Sequence, residues 1–302
     1  MPPLSIHNRK LKIQKHLLRW YQKNARILHW RKTKNPYRIL LSEVMLQQTQ
    51  VSRVLLKYPE FLRQFPDFAS LAHARTADVI RAWSGMGYNN RALRLQQIAK
   101  CVIDDYGGRL PQNIEKLQQL PGIGRYTAHA VACFAFGLQT ATVDVNVQRV
   151  LSRLFPRRTQ SVDIWELAEW MLPKAKAYDW NQALMELGGI ICTAANPHCL
   201  ECPLKQYCPS AFLTVNKRKP IKIERKTQTI IPNRIYRGRI IAALRTIAHH
   251  RSIEANQLAK KVKPDYSIRQ KEWLNKLLTG LLRDGLIQIR SRNKKIYLSL
   301  PR

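Results

Sequence analysis

Acidic residues are scarce in this chain: 19 Asp and Glu stand against 52 Lys and Arg in 302 residues, a formal charge of +33. So large an imbalance sets it apart from an ordinary cytosolic enzyme. A field of that sign attracts polyanions, and nucleic acid is the first to consider. Charge alone would suit a ribosome-associated protein equally well. Long apolar runs are missing too, so no segment approaches a membrane span, and a soluble protein without a membrane partner is expected. Cysteine is sparse, at six residues, and no secretory leader is expected. Both points argue for a reducing compartment and against a disulfide framework.

What cysteine there is, is concentrated. Cys192, Cys199, Cys202 and Cys208 form a C-x6-C-x2-C-x5-C run within 17 residues. Four thiols so spaced can make bridges, hold zinc or hold an iron–sulfur cluster. A structural zinc site usually pairs two C-x2-C knuckles, and only one is present. The spacing therefore favours a [4Fe–4S] cluster. Cys101 and Cys133 sit in apolar helical contexts and suit buried small hydrophobes.

Through the first two hundred residues the apolar positions recur at helical spacing, with no competing alternation. Asn35-Pro36 is a helix start, with Asn as cap and Pro first inside. The helix it opens is expected to run through Val51 and Leu55. Further helices are predicted over 76–83, 89–105, 114–120, 126–136, 144–154, 164–172 and 180–191. The fold class is all-α. A basic, proline-punctuated linker over 213–233 leads to a compact segment, 234–302. Helices over 234–249, near 253–262 and over 267–283 precede strands at 286–290 and 295–300, joined by a turn at 291–294. Three helices and a basic hairpin make the plan of a winged helix. Residues 211–302 carry 23 Lys/Arg against 5 Asp/Glu, a net of +18 and over half the excess of +33. That favours DNA binding by this segment over a protein-binding appendage.

Leu120-Pro121-Gly122-Ile123-Gly124-Arg125 joins two of these helices. Gly122 and Gly124 let the backbone turn tightly and present N–H groups to an anion. The helix opening with Arg125, Tyr126 and Thr127 adds its positive dipole end. Two carboxylates complete the picture. Asp144 precedes an amphipathic helix, where an N-cap is the plain reading. The same position keeps a carboxylate anionic, the state needed beside a positively charged sugar. Glu43 lies mid-helix among apolar residues. Facing inward it would be pushed toward holding a proton, and facing outward it is an ordinary solvated glutamate. One acid and one anion are the working pair of glycosidic-bond hydrolysis.

Asn35-Pro36-Tyr37, the stretch from Ser42 to Val51 (S-E-V-M-L-Q-Q-T-Q-V), Gly85-Met86-Gly87-Tyr88, the glycine hairpin, Val143-Asp144-Val145-Asn146-Val147 and the four cysteines occur in that order. Over about residues 15–210 the chain resembles the adenine DNA glycosylases (MutY type) of the helix-hairpin-helix, endonuclease III superfamily. The resemblance implies a two-lobed fold: a six-helix barrel with the hairpin over 29–137, and an iron–sulfur domain from 1–28 with 138–212. It implies excision of adenine mispaired with 8-oxoguanine or guanine from double-stranded DNA during base excision repair, by a monomer in the cytoplasm or nucleus. Glu43 would protonate adenine, Asp144 would stabilise the sugar cation, and Tyr126 and Asn146 would position them. Gln48 and Tyr88 would enter the helix beside the partner base. Gly122, Gly124, Arg125 and Thr127 would clamp the backbone, with a monovalent cation at the hairpin, and Arg26 and Arg31 would line the base pocket.

Bifunctional relatives place a lysine at position 126, and a phenol cannot form a Schiff base, so little strand cleavage is expected. Three departures stand out. Val145 replaces the usual glycine, Asn89-Asn90 follows Tyr88, and 234–302 does not look like the Nudix-like domain that inspects 8-oxoguanine. A thymine/uracil mismatch glycosylase of the same fold, and a non-catalytic regulator with a redox cluster, are the competing readings.

Overall fold

The computed structural model describes residues 6–156, 158–213, 231–248 and 251–301. The expected basic linker over 213–233 lies almost wholly outside them. Fourteen α-helices, five short 3-10 helices and three strands are assigned among the described residues. In chain order the helices are α1 (Ile6–Asn24), α2 (Pro36–Leu46), α3 (Val51–Gln64), α4 (Phe68–His73), α5 (Thr76–Ala82), α6 (Asn90–Tyr106) and α7 (Ile114–Gln119). Then come α8 (Arg125–Phe136), α9 (Val145–Leu154), α10 (Ile164–Met171), α11 (Ala177–Ile190), α12 (Asn233–Arg245), α13 (Ala255–Val262) and α14 (Lys271–Arg283). No described helix is long and apolar enough to cross a membrane.

Local chemistry accounts for the helix ends. Asn35 caps α2 by accepting from the Arg38 N–H at 3.1 Å, and Asp67 closes a reciprocal capping box with Ser70 at the start of α4. Helices α6 and α8 stop at Gly107 and Gly137, both left-handed, a conformation open to glycine at little cost.

The chain divides into two compact units. The first comprises Met1–Ile39, Gln112–Gln119 and Ile123–Glu224. Its core is built by one face each of α1 (Ile13, Leu17), α9 (Val147, Val150, Leu151), α10 (Leu167, Met171) and α11 (Trp180, Leu184, Leu187). Each such aliphatic side chain contributes about 1.5–3 kcal/mol by leaving water. The second unit comprises Leu40–Pro111, Leu120–Gly122 and Arg225–Arg302. Here a single apolar cluster takes Ala77 and Ile80 of α5 and Leu93 of α6 together with Ile240, Ile241 and Leu244 of α12 and the inner faces of α13 and α14. Arg81 donates to the carbonyls of Arg245 and Ile247, and Arg245 donates back to the Ile80 carbonyl and the Asn89 side chain. Helices α12–α14 thus share one core with α5 and α6.

Three local expectations need correction. The helix opened by Pro36 does not reach Leu55: it ends at Leu46, and α3 begins afresh at Val51. Apolar periodicity continues across the break, which is why the sequence hides it. The helix expected near 253 begins with a two-residue strand, β1 (Ile253–Glu254). It pairs antiparallel with β3 (Lys295–Ser299), which also pairs with β2 (Gln288–Arg292), giving the order β1-β3-β2. The hairpin turn is tighter than the four residues expected. Asn293 and Lys294 alone form it, both with positive φ (48° and 59°), the conformation that matches strand twist.

Candidate functional site

Asp144 sits immediately before α9, and its side chain acts purely as an acceptor. One carboxylate oxygen takes the backbone N–H groups of Asn146 (2.9 Å) and Val147 (2.7 Å). The other takes the Asn146 side-chain amide at 2.7 Å. Asn146 is fixed in turn, because its amide oxygen accepts from Arg149 at 2.8 Å. The structure therefore brings two of the expected catalytic residues into one hydrogen-bonded group. Tyr126, in the first turn of α8, is half-buried in the same unit.

Gly188, which sequence reasoning passed over, lets this group form. A methyl at that position would lie 2.7 Å from Asn146 Cβ and 3.1 Å from its carbonyl oxygen. Neither atom is the far end of a flexible side chain, so α9 and α11 would have to part. Gly188→Ala is expected to cost about 1–3 kcal/mol by overpacking and to displace Asn146. Denaturant melts check the first effect, and an unchanged midpoint would refute it.

Glu43 lies in the second unit, on α2, and is 6% exposed. Of the two orientations open to it, the inward one is adopted. A buried glutamate is uncommon without a partner or a function.

Gln48 and Tyr88 also belong to the second unit, on separate turns. Both are exposed, and both have left-handed backbone, with φ of 54° and 43°. For residues other than glycine that geometry costs on the order of 1–3 kcal/mol each and must be held by its surroundings. The holder is Arg91, 4% exposed at the start of α6. One guanidinium nitrogen donates to the carbonyls of Val44, Met45 and Gln47 (2.9, 2.9 and 2.6 Å). The other donates to Thr49 Oγ1 and to the carbonyls of Met86 and Gly87 (3.0, 2.9 and 3.2 Å). One side chain thus staples the Gln48 turn to the Tyr88 turn. Burial pushes its pKa down to about 10, still charged near neutrality. The signal for Arg91 was present in the sequence: it begins the stripe Arg91, Leu95, Ile98, Val102 on the buried face of α6.

The hairpin turn from Leu120 to Gly124 has Gly122 at φ 75°, where a side chain would be strained and would press on Arg94. Gly124 caps α8 without a side chain, so the first N–H groups of that helix keep no capping partner from it. Arg125 is exposed and stacks over Trp165 at 4.1 Å. Thr127 is 4% exposed, so its side chain points into the protein and only its backbone belongs to the turn.

Arg26 and Arg31 converge on Glu186, which is fully buried on α11. Arg26 bonds both carboxylate oxygens (2.6 and 3.0 Å), and Arg31 reaches one of them at 2.7 Å and Gln182 at 2.8 Å. The two arginines hold Glu186 ionised despite its burial, drawing its pKa below the usual carboxylate value. Arg31 is 11% exposed and Arg26 40%, so only Arg26 keeps much surface for another partner.

Cys192, Cys199, Cys202 and Cys208 line one cavity of about 310 Å³ with Arg153, whose guanidinium lies 3.2 Å from the Cys192 sulfur. Among the described residues, no three His, Cys, Asp or Glu side chains stand close enough to share a single metal ion. Burial pushes the Cys202 thiol up to about 11 and raises Cys208 as well, with the neighbouring cysteines adding to both.

The glycine hairpin leads into α8, and Asp144 caps the helix that follows, α9. The HhH-GPD superfamily of base excision DNA repair proteins matches residues 41–170. The chain is 35% identical over 198 residues to a thymine/uracil-DNA glycosylase of Methanothermobacter thermautotrophicus, covering 90% of that protein. It belongs to this superfamily. It is also 42% identical over 207 residues to the adenine DNA glycosylase of Homo sapiens, matching 64% of this chain but only 38% of that protein. Among solved structures, a thermostable thymine-DNA glycosylase superposes with a TM-score of 0.65 at 33% identity, over 68% of this chain and 97% of the other.

Proposed function

We propose that this protein is a monofunctional DNA glycosylase that removes adenine mispaired with 8-oxoguanine or guanine in double-stranded DNA. The observation that carries it is the Asp144 carboxylate, locked by three donors at the head of α9 with Asn146 beside it. The buried Glu43 supplies the complementary acid. Glu43 gives a proton to adenine N7 as the N-glycosidic bond breaks and its electron pair leaves with the base. Asp144 stabilises the positive charge left on the sugar until water adds there. Tyr126 and Asn146 hold these groups in place. Tyr126 offers no amine, so the strand is left uncut at an abasic site.

The hairpin, Gly122 to Thr127, grips phosphate through backbone N–H groups, with a monovalent cation at its carbonyls. Gln48 and Tyr88 hold open the gap left by the flipped base. The four cysteines suit a [4Fe–4S] cluster: four part-buried thiols line one cavity of about 310 Å³, more room than a single ion would fill. The cluster would supply no step of the reaction, only a cross-link ordering residues 192–208. Residues 234–302 are read as a winged-helix-like domain that adds to DNA binding.

A thymine/uracil mismatch enzyme is the second reading, favoured by the 90% coverage of that relative. Single-turnover assays on duplexes carrying one A·8-oxoG, A·G, T·G or U·G pair, with alkali to reveal abasic sites, separate the two. Adenine release from the first pair is expected. Release of thymine or uracil alone would overturn the adenine assignment.

A further inference from the structure

Trp165, in the first turn of α10, is half-buried and meets two residues that stand one turn apart on α8. The Arg125 guanidinium carbon lies 4.1 Å from its ring centre, and the His129 ring lies 4.8 Å away, tilted by 58°. All three residues belong to the first unit. His129 is held in turn by a short chain of hydrogen bonds. Glu169 accepts from the Thr140 hydroxyl at 3.1 Å and from the Ala141 N–H at 2.8 Å. Having given its one proton to Glu169, the Thr140 hydroxyl accepts from His129 Nδ1, 2.8 Å away. That bond fixes both the orientation and the tautomer of the imidazole. Burial, and then the nearby Arg125, lower the His129 pKa, so the ring is neutral near pH 7 and brings no second positive charge to the indole.

The partner chosen for Arg125 decides what the arginine can still do. It is exposed, and it rests on this ring rather than on a carboxylate. A carboxylate would occupy the N–H edge of the guanidinium, whereas an aromatic ring takes its face. The in-plane donors stay free for a forked contact with a phosphate, and the charge is undiminished. Holding the long side chain on the indole also removes in advance part of the entropy that fixing it on a ligand would cost.

We propose that Trp165 is a positioning residue for the DNA backbone: its indole holds the Arg125 guanidinium flat, with the N–H edge presented to one phosphate of the duplex. The proposal rests on the DNA-glycosylase reading above and extends its backbone grip to α10.

The test measures the affinity of the full chain for an undamaged duplex as salt is varied. Each phosphate contact adds about 0.9 to the slope of log affinity against log salt. Arg125→Ala is expected to reduce that slope by about one contact and to weaken binding about fivefold near 0.1 M salt. Trp165→Leu keeps apolar bulk against the core of the first unit but offers no aromatic face, and the same two changes are expected of it. In the double variant the losses do not add, and binding stays within about twofold of Arg125→Ala alone. Trp165→Phe retains a ring for stacking and is expected to recover most of the affinity and the slope. An unaltered slope in Trp165→Leu would overturn the proposal, and so would an equal further loss in the Arg125→Ala background. Either result would make the tryptophan a packing residue. An unaltered protein that bound no duplex would overturn the DNA reading and the proposal together. The leucine result can fail while the unaltered protein still binds duplex and releases adenine, so the two failures are told apart.

Discussion

Asp144→Asn is expected to lower the single-turnover rate of base release on the order of a thousandfold, while duplex binding survives. The substitution is clean because asparagine caps helices about as well as aspartate. Its amide oxygen can still accept from the backbone N–H groups of Asn146 and Val147, now 2.9 and 2.7 Å away. What changes is the second oxygen, which becomes an NH2 group facing the Asn146 amide. One hydrogen bond is lost there, at about 1 kcal/mol, and α9 stays in place. The negative charge goes entirely. A thousandfold is about 4 kcal/mol of transition-state stabilisation, the usual scale for removing a preorganised electrostatic group. Glu43→Gln is the companion, nearly isosteric in its buried position and unable to deliver a proton as a carboxylic acid does. Rates within about tenfold of the unaltered protein for either variant would remove the mechanism.

The largest effect on stability is expected from Arg91→Met. Methionine fills a similar volume and offers no donor. Five backbone carbonyls and Thr49 Oγ1 lose the guanidinium at once. Buried acceptors left without partners cost about 1–3 kcal/mol each, partly recovered where water enters. A net loss on the order of 4 kcal/mol is expected, in the range seen when a buried charged network is broken. Against this stands the cost of burying the cation itself, whose partners are dipoles rather than a carboxylate. If that cost dominated, methionine would be neutral or stabilising, and urea melts decide the sign. Arg91→Lys separates charge from geometry, since an ammonium cannot fork to both turns. It should recover part of the stability and little of the lesion binding that needs Gln48 and Tyr88 in place.

Much of the helical frame was legible in the chain. The edges expected for α5, α6, α7 and α10 fall within a residue of those observed, because apolar periodicity marks them, helped by caps at Asn113 and Asp163 and a glycine stop at Gly107. The break between α2 and α3 was not legible. Gln47-Gln48-Thr49 is polar but carries neither glycine nor proline, and the left-handed residue is a glutamine imposed from outside by Arg91. Among site residues, Asp144 was legible as a cap and the cysteines as a group. Gly188 was hidden because the reason for a glycine there is a neighbour 42 residues upstream in sequence. Arg26 and Arg31 carried signals of charge but not of destination, and Glu186 takes both.

By itself the sequence determined the helical class, the strongly basic character, the cap at Asp144 and the clustering of four thiols. These follow from interactions between residues close in the chain, or from composition alone. Tertiary structure decided which face of α2 buries Glu43, how two strained turns are held by one arginine, and that α12 shares a core with α5 and α6. Those outcomes depend on contacts between segments far apart in sequence. Their energies come from desolvation and close packing, which no local pattern of residues encodes.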